Sequence, residues 1–170
     1  MRMEIEYEKQ FIAPELLFAA VAEELAAGRR ASFTVTGMSM WPFLCHLRDQ
    51  VVVEKCDPAA LRVGDIVLFQ TPLGNYMLHR IIALRPDAFM TAGDGNCFRD
   101  GWFSPGCVRA KAVTVIRKGK EIGCGSAGWR FASGLWRALS PIRPLLLRLG
   151  RSMGNQKARI RKWLKKHKQD

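Results

Sequence analysis

The chain has 170 residues and a formal net charge of +12, enough length for one domain of ordinary size with a buried core plus an appendage. Its five cysteines, Cys45, Cys56, Cys97, Cys107 and Cys124, form no Cys-x-x-Cys pair and make an odd count, which argues against a disulfide framework or a zinc site and for reduced thiols. The charge is unevenly spread: residues 1–128 carry 15 basic against 14 acidic side chains, whereas residues 129–170 carry 12 against Asp170 alone.

In chain order, Met1 to Lys9 alternates Met3, Ile5 and Tyr7 with Glu4, Glu6 and Glu8, a half-buried strand pattern and not a secretory signal. Residues 14–27 predict a helix, with Pro14 in its first turn, an apolar stripe of Leu17, Phe18, Val21 and Leu25, and Gly28 as its stop. Residues 32–36, 50–55, 65–70, 76–84, 88–92 and 107–117 read as strands, so a mainly β domain is expected. No run approaches the roughly 20 apolar residues of a membrane span, and the expected place of action is the cytoplasm.

After Ser126 the character changes. Trp129, Ala132, Trp136 and Leu139, flanked by Phe131 and Leu135, share one wide helical face, with Arg130 and Arg137 opposite. Ser140-Pro141 and Pro144 are expected to break this helix. Beyond Gly154 a last helix would place Ile160, Trp163, Leu164 and His167 on one side among lysines and arginines. The domain division is therefore 1–125 for the body and 126–170 for a basic amphipathic tail. Such a tail suits an anionic membrane surface, at the inner face, slightly better than packing on the body. Nucleic acid is the weaker partner, because no recognition motif accompanies the cations.

Three segments carry chemistry. Phe33 to Met38 is a strand-like run ending on Gly37, a glycine that would permit a tight approach, and Ser39-Met40-Trp41-Pro42 follows. Leu78-His79-Arg80 lies in an apolar strand, and Gly93-Asp94-Gly95-Asn96 opens a polar loop that reaches Asp100. A serine hydroxyl becomes a competent nucleophile when a base removes its proton, and neutral imidazole can do so near neutral pH. A carboxylate on the other ring nitrogen would hold the useful tautomer, and both Asp94 and Asp100 are candidates. Each motif alone has a plainer reading: a serine before methionine is usually nothing, a histidine in an apolar strand is usually a hydrogen-bonded core residue, and Gly-Asp pairs are usually turns, the reading kept for Asp65.

Taken jointly, from Phe33 to Lys120, the order and flanking residues resemble the type I signal peptidase-like serine peptidases, in the branch that uses histidine where the better-known bacterial enzymes use lysine. The resemblance implies a coiled, partly open β-barrel, with the N-terminal helix and C-terminal basic amphipathic helices added to it. It implies Ser39 as nucleophile, His79 as general base and Asp100 as its partner, with Asp94 free to pair with Arg80 instead and organise the site. Ser39, Gly37 and Met40 surround the expected oxyanion position, where the Ser39 N–H is the natural donor. Pro42, Asp65, Arg80 and Gly93 are expected to be structural. A peptide or protein substrate cut after small side chains is implied, with no cofactor and no metal. Two other readings stand beside it: a self-cleaving regulator of the LexA-like type, for which Ala27-Gly28 would be the cleavage bond, and an inactive peptide-binding or membrane-binding member of the same fold.

Overall fold

The structure is a computed structural model that describes residues 14–150. The expected opening strand at Met1 to Lys9 and the last helix beyond Gly154 lie outside the described residues.

Helix α1 spans Pro14–Ala26. Gly28 takes the left-handed conformation, φ 72°, and the Gly28 and Arg29 N–H groups return to the Leu25 and Glu24 carbonyls, which ends the helix as expected. Val21 and Leu25 are buried, and Phe18 stacks on Tyr76 with ring centroids 4.3 Å apart.

The strands are β1 (Ala31–Thr34), β2 (Asp49–Glu54), β3 (Ile66–Gln70), β4 (Tyr76–Leu84), β5 (Phe89–Ala92), β6 (Gly101–Phe103), β7 (Val108–Arg117) and β8 (Lys120–Gly123). They form one open sheet, paired antiparallel in the order β1-β2-β7-β3-β4-β5-β6, with β8 on β7. The protein is thus mainly β. Strands β6 and β8 are additions to the sequence-based pattern, and both are short. The β7–β8 hairpin turns through Lys118 and Gly119 at φ 52° and 75°, the pair of positive values a two-residue hairpin loop needs.

Alternation along the strands divides the interior into two clusters. Ile66 and Leu68 of β3 join Met40, Leu44, Val51, Val53 and Val115 on one side. Val67 and Phe69 join Ile81 and Phe89 on the other. His79 pairs in register with Val67, and Arg80 with Ile66, so these neighbours on β4 address opposite faces.

Helix α2 spans Ala127–Ala138 and is capped by the Ser126 hydroxyl, which accepts from the Trp129 N–H. It packs on the sheet through Trp129, Ser133, Trp136 and Arg137, at i, i+4, i+7 and i+8. Trp129 meets Phe43 edge-on at 5.3 Å. This corrects the expected division of faces: Ala132 is exposed, Phe131 and Leu135 are 76% and 51% exposed, and Arg137 turns inward beside Gly64. The reason is the partner surface, which offers the Phe43 ring and a carbonyl to Trp129 and Trp136 and nothing to Phe131.

Helix α2 ends at Ala138 and the chain turns through Ser140-Pro141, as expected, while Pro144 sits in the first turn of a new helical stretch, residues 143–150. Leu147 is buried there, and a Cβ on Gly150 would come within 2.4 Å of the Trp41 ring, so this stretch lies against the Ser39 loop. Among the described residues no helix is long and apolar enough to cross a membrane.

Candidate active site

The Ser39 segment is an irregular loop between β1 and β2, and its course is set from both ends. Buried Asp49, the first residue of β2, accepts from the Cys45 N–H at 2.9 Å and from the guanidiniums of Arg48 and Arg117, while Arg117 also donates to the Phe43 carbonyl at 2.6 Å. Burial would push the Asp49 carboxyl up, but these donors outweigh it and hold the carboxyl well below the usual carboxylate range. Leu47, held by its N–H on the Val35 carbonyl, takes a left-handed conformation at φ 54° that costs a residue with a Cβ about 1–2 kcal/mol.

Gly37 has φ 83°, and its N–H donates to His46 Nδ1 at 3.0 Å. A Cβ at Gly37 would meet nothing within 4 Å, so glycine serves backbone conformation there and not a tight approach. The close approach falls instead on Gly93 and Gly95. A Cβ on Gly93 would lie 2.4 Å from the Ser39 carbonyl oxygen, and one on Gly95 2.5 Å from that of Met38. The Gly95 N–H donates to the Ser39 carbonyl at 2.7 Å. The backbone of Ser39 is therefore seated on the turn that follows β5. Ser39 is half-buried, whereas the Met40 side chain is 2% exposed in the core, so only the backbone of Met40 can border an oxyanion. The Trp41-Pro42 peptide beside it is cis.

The two aspartates divide cleanly. Asp100 Oδ2 lies 2.6 Å from His79 Nδ1, with the two side chains 4% and 7% exposed. The same oxygen accepts from the Thr91 hydroxyl at 2.8 Å, and the Asp100 N–H donates to the Thr91 carbonyl at 2.9 Å, so Thr91 fixes the aspartate from two directions. A carboxylate oxygen can only accept, which makes Nδ1 the donor, so that in a neutral imidazole Nε2 is the nitrogen that keeps its lone pair. Asp94 makes no such contact: its two oxygens take Arg80 Nε at 2.8 Å and Nη2 at 2.6 Å. The remaining Arg80 nitrogen donates to the Gly64 carbonyl at 2.8 Å, and its guanidinium lies 4.8 Å from the Phe43 ring centre. Asp65 is a turn residue, its carboxylate accepting from the Arg62 N–H at 3.0 Å.

Several contributors carried no signal in the linear sequence. Thr91 and His46 act through hydrogen bonds to partners distant in the chain, Asp49 through Arg117, and Trp136 by donating its indole N–H to the Asp94 carbonyl at 3.0 Å. Cys97 is exposed in the loop between the two aspartates. Among the described residues no three His, Cys, Asp or Glu side chains come together as metal ligands.

What the arrangement can do is orient an imidazole, keep one ring nitrogen available as a base, and hold a serine backbone rigidly on the adjoining turn. No family model matches the chain, and no curated protein matches it.

Proposed function

We propose that the protein is a serine endopeptidase of the signal peptidase-like kind, with Ser39 as nucleophile, His79 as general base and Asp100 orienting the base. The observation that carries this reading is the buried His79–Asp100 pair at 2.6 Å, supported from behind by Thr91. A histidine that were only a core residue would need one partner, not an aspartate itself fixed by a threonine, and the next residue of the strand, Arg80, anchors the turn under Ser39 through Asp94. Arg80 and Asp94 are then positioning residues that hold the Gly93–Gly95 turn. The open antiparallel sheet is compatible with the coiled, partly open barrel of that family. Substrate is a peptide cut after small side chains, as in leader or precursor trimming.

The test is direct. A fluorophosphonate probe should label Ser39 in the wild type, identified by peptide mass, and should fail to label Ser39→Ala or His79→Ala. N-terminal sequencing of the products from a peptide library gives the cleavage preference. Cleavage retained by a folded Ser39→Ala protein would overturn the mechanism.

Association of the tail with an anionic membrane belongs to the same proposal. Its support is the outward stripe of Phe131, Leu135, Ile142, Leu145 and Leu149, all at least half exposed, in a segment with 12 basic residues. The tryptophans Trp129 and Trp136 are not part of that stripe, because they pack on the sheet and on the Asp94 turn.

A further inference from the structure

We infer that the cavity between the β4–β5 hairpin, the 96–99 loop and the turn after α2 is a binding site for a phosphate group, held by Arg137 and Arg143. The cavity measures about 570 Å³, and Arg99, Arg137 and Arg143 line it together with the polar side chains of Asn96 and Ser140. Among the described residues no aspartate or glutamate lines it.

The buried arginines elsewhere in this protein are paired. Fully buried Arg80 has Asp94, and even the partly exposed Arg48 and Arg117 share Asp49. Arg143 is the exception, only 8% exposed and without a carboxylate among the described residues. Its one hydrogen bond is a long one, 3.4 Å from Nη2 to the Trp136 carbonyl, and its guanidinium stands 5.7 Å from the Trp136 ring centre. The Nε atoms of both Arg137 and Arg143 are buried with no hydrogen-bond partner among the described residues. Guanidinium N–H groups removed from water without an acceptor are costly, and a folded protein tolerates two of them on one cavity where a ligand supplies the acceptor.

Charge decides the class of ligand. Three guanidiniums with no acid among them match a phosphate monoester, which carries close to two negative charges at neutral pH and presents three acceptor oxygens, better than a singly charged carboxylate. The fork geometry of arginine suits those oxygens. The phosphate group belongs either to a soluble molecule or to a lipid headgroup, and exposed Ile142 and Leu145, next to the cavity-lining Pro141 and Pro144, would accommodate the acyl chains of the latter.

This inference is independent of peptidase activity, and so is its test. Calorimetric titration of the full chain with inorganic phosphate, with short-chain phosphatidic acid below its micellar concentration, and with acetate would be repeated on Arg137→Gln and Arg143→Gln. Saturable phosphate binding is expected in the wild type, weakened about tenfold to a hundredfold in each variant, as the loss of a charge-assisted hydrogen bond implies. Acetate should bind at least about tenfold more weakly. Binding by inorganic phosphate supports the site with a soluble source, and binding by phosphatidic acid alone, lost in the variants, supports it with a lipid source. Absence of binding by both, binding unchanged in the variants, or acetate bound as tightly as phosphate would overturn it. Circular dichroism checks folding. If Arg143→Gln does not fold, Arg137→Gln carries the decision, since the side chain of Arg137 is less buried and makes no hydrogen bond to a described residue.

Discussion

Asp94→Asn should destabilise the protein by about 3 kcal/mol, through Arg80 and not through the chemistry. The Arg80 guanidinium is fully buried and makes a two-pronged contact with Asp94 at 2.8 and 2.6 Å. Removing one member of a buried ion pair typically costs about 3–5 kcal/mol, because the other charge is left uncompensated. Asparagine keeps one acceptor, and the Gly64 carbonyl and the Phe43 ring remain in place, so the lower end applies. For a chain of this size about 3 kcal/mol corresponds to a fall in Tm of about 6–12 °C. Urea unfolding followed by tryptophan fluorescence measures it, with the slope m unchanged if the denatured state is unaffected. In Arg80→Met/Asp94→Asn the stranded charge is gone, so the double variant should be more stable than the sum of the single effects predicts. A loss below about 1 kcal/mol in Asp94→Asn, or strict additivity in the cycle, would refute the assignment of Asp94 to Arg80.

The two aspartates should separate in kinetics. Asp100→Asn is expected to lower kcat by about 10⁴-fold with little loss of stability, as loss of the base-orienting carboxylate does in other triads, and a larger loss of turnover in Asp94→Asn would transfer that role. Trp129→Ala should cost about 3–5 kcal/mol by urea unfolding, since the ring is 9% exposed against Phe43, and a near-neutral result would mean that α2 does not pack on the sheet in solution. Asp49 has a folded-state pKa below its unfolded value, so it contributes stability above about pH 4 that disappears as the pH falls; Asp49→Asn should therefore show a shallower loss of stability on acidification than the wild type. Alkylation at pH 8 followed by peptide mass mapping should modify exposed Cys97 early and Cys124 last, because burial pushes the Cys124 thiol up to about 11 and leaves little thiolate to react.

Features that depend on near neighbours were legible in the amino-acid order. The β-branched runs Val51-Val52-Val53 and Val113-Thr114-Val115-Ile116 marked strands, and the stripe of Leu17, Val21 and Leu25 before Gly28 marked α1 with its end, because residue propensity, side-chain periodicity and glycine conformation act within a few residues. The same holds for Asp65, whose turn is closed by Arg62 three residues away. The site residues Ser39, His79, Arg80, Asp94 and Asp100 could be named from their motifs, whereas their pairings were expected from the family resemblance and not from the local sequence. Asp94 and Asp100 stand in one loop, and only the β4–β5 register, which sets Arg80 opposite Ala92, together with the two bonds from Thr91, sends one aspartate to each face of β4. Likewise α2 is apolar over more than one face, and helical periodicity alone cannot say which face is covered. That was decided by where the sheet presented Phe43 and the Asp94 carbonyl, a property of the assembled surface, so Trp129 and Trp136 went inward while Phe131 and Leu135 stayed in water.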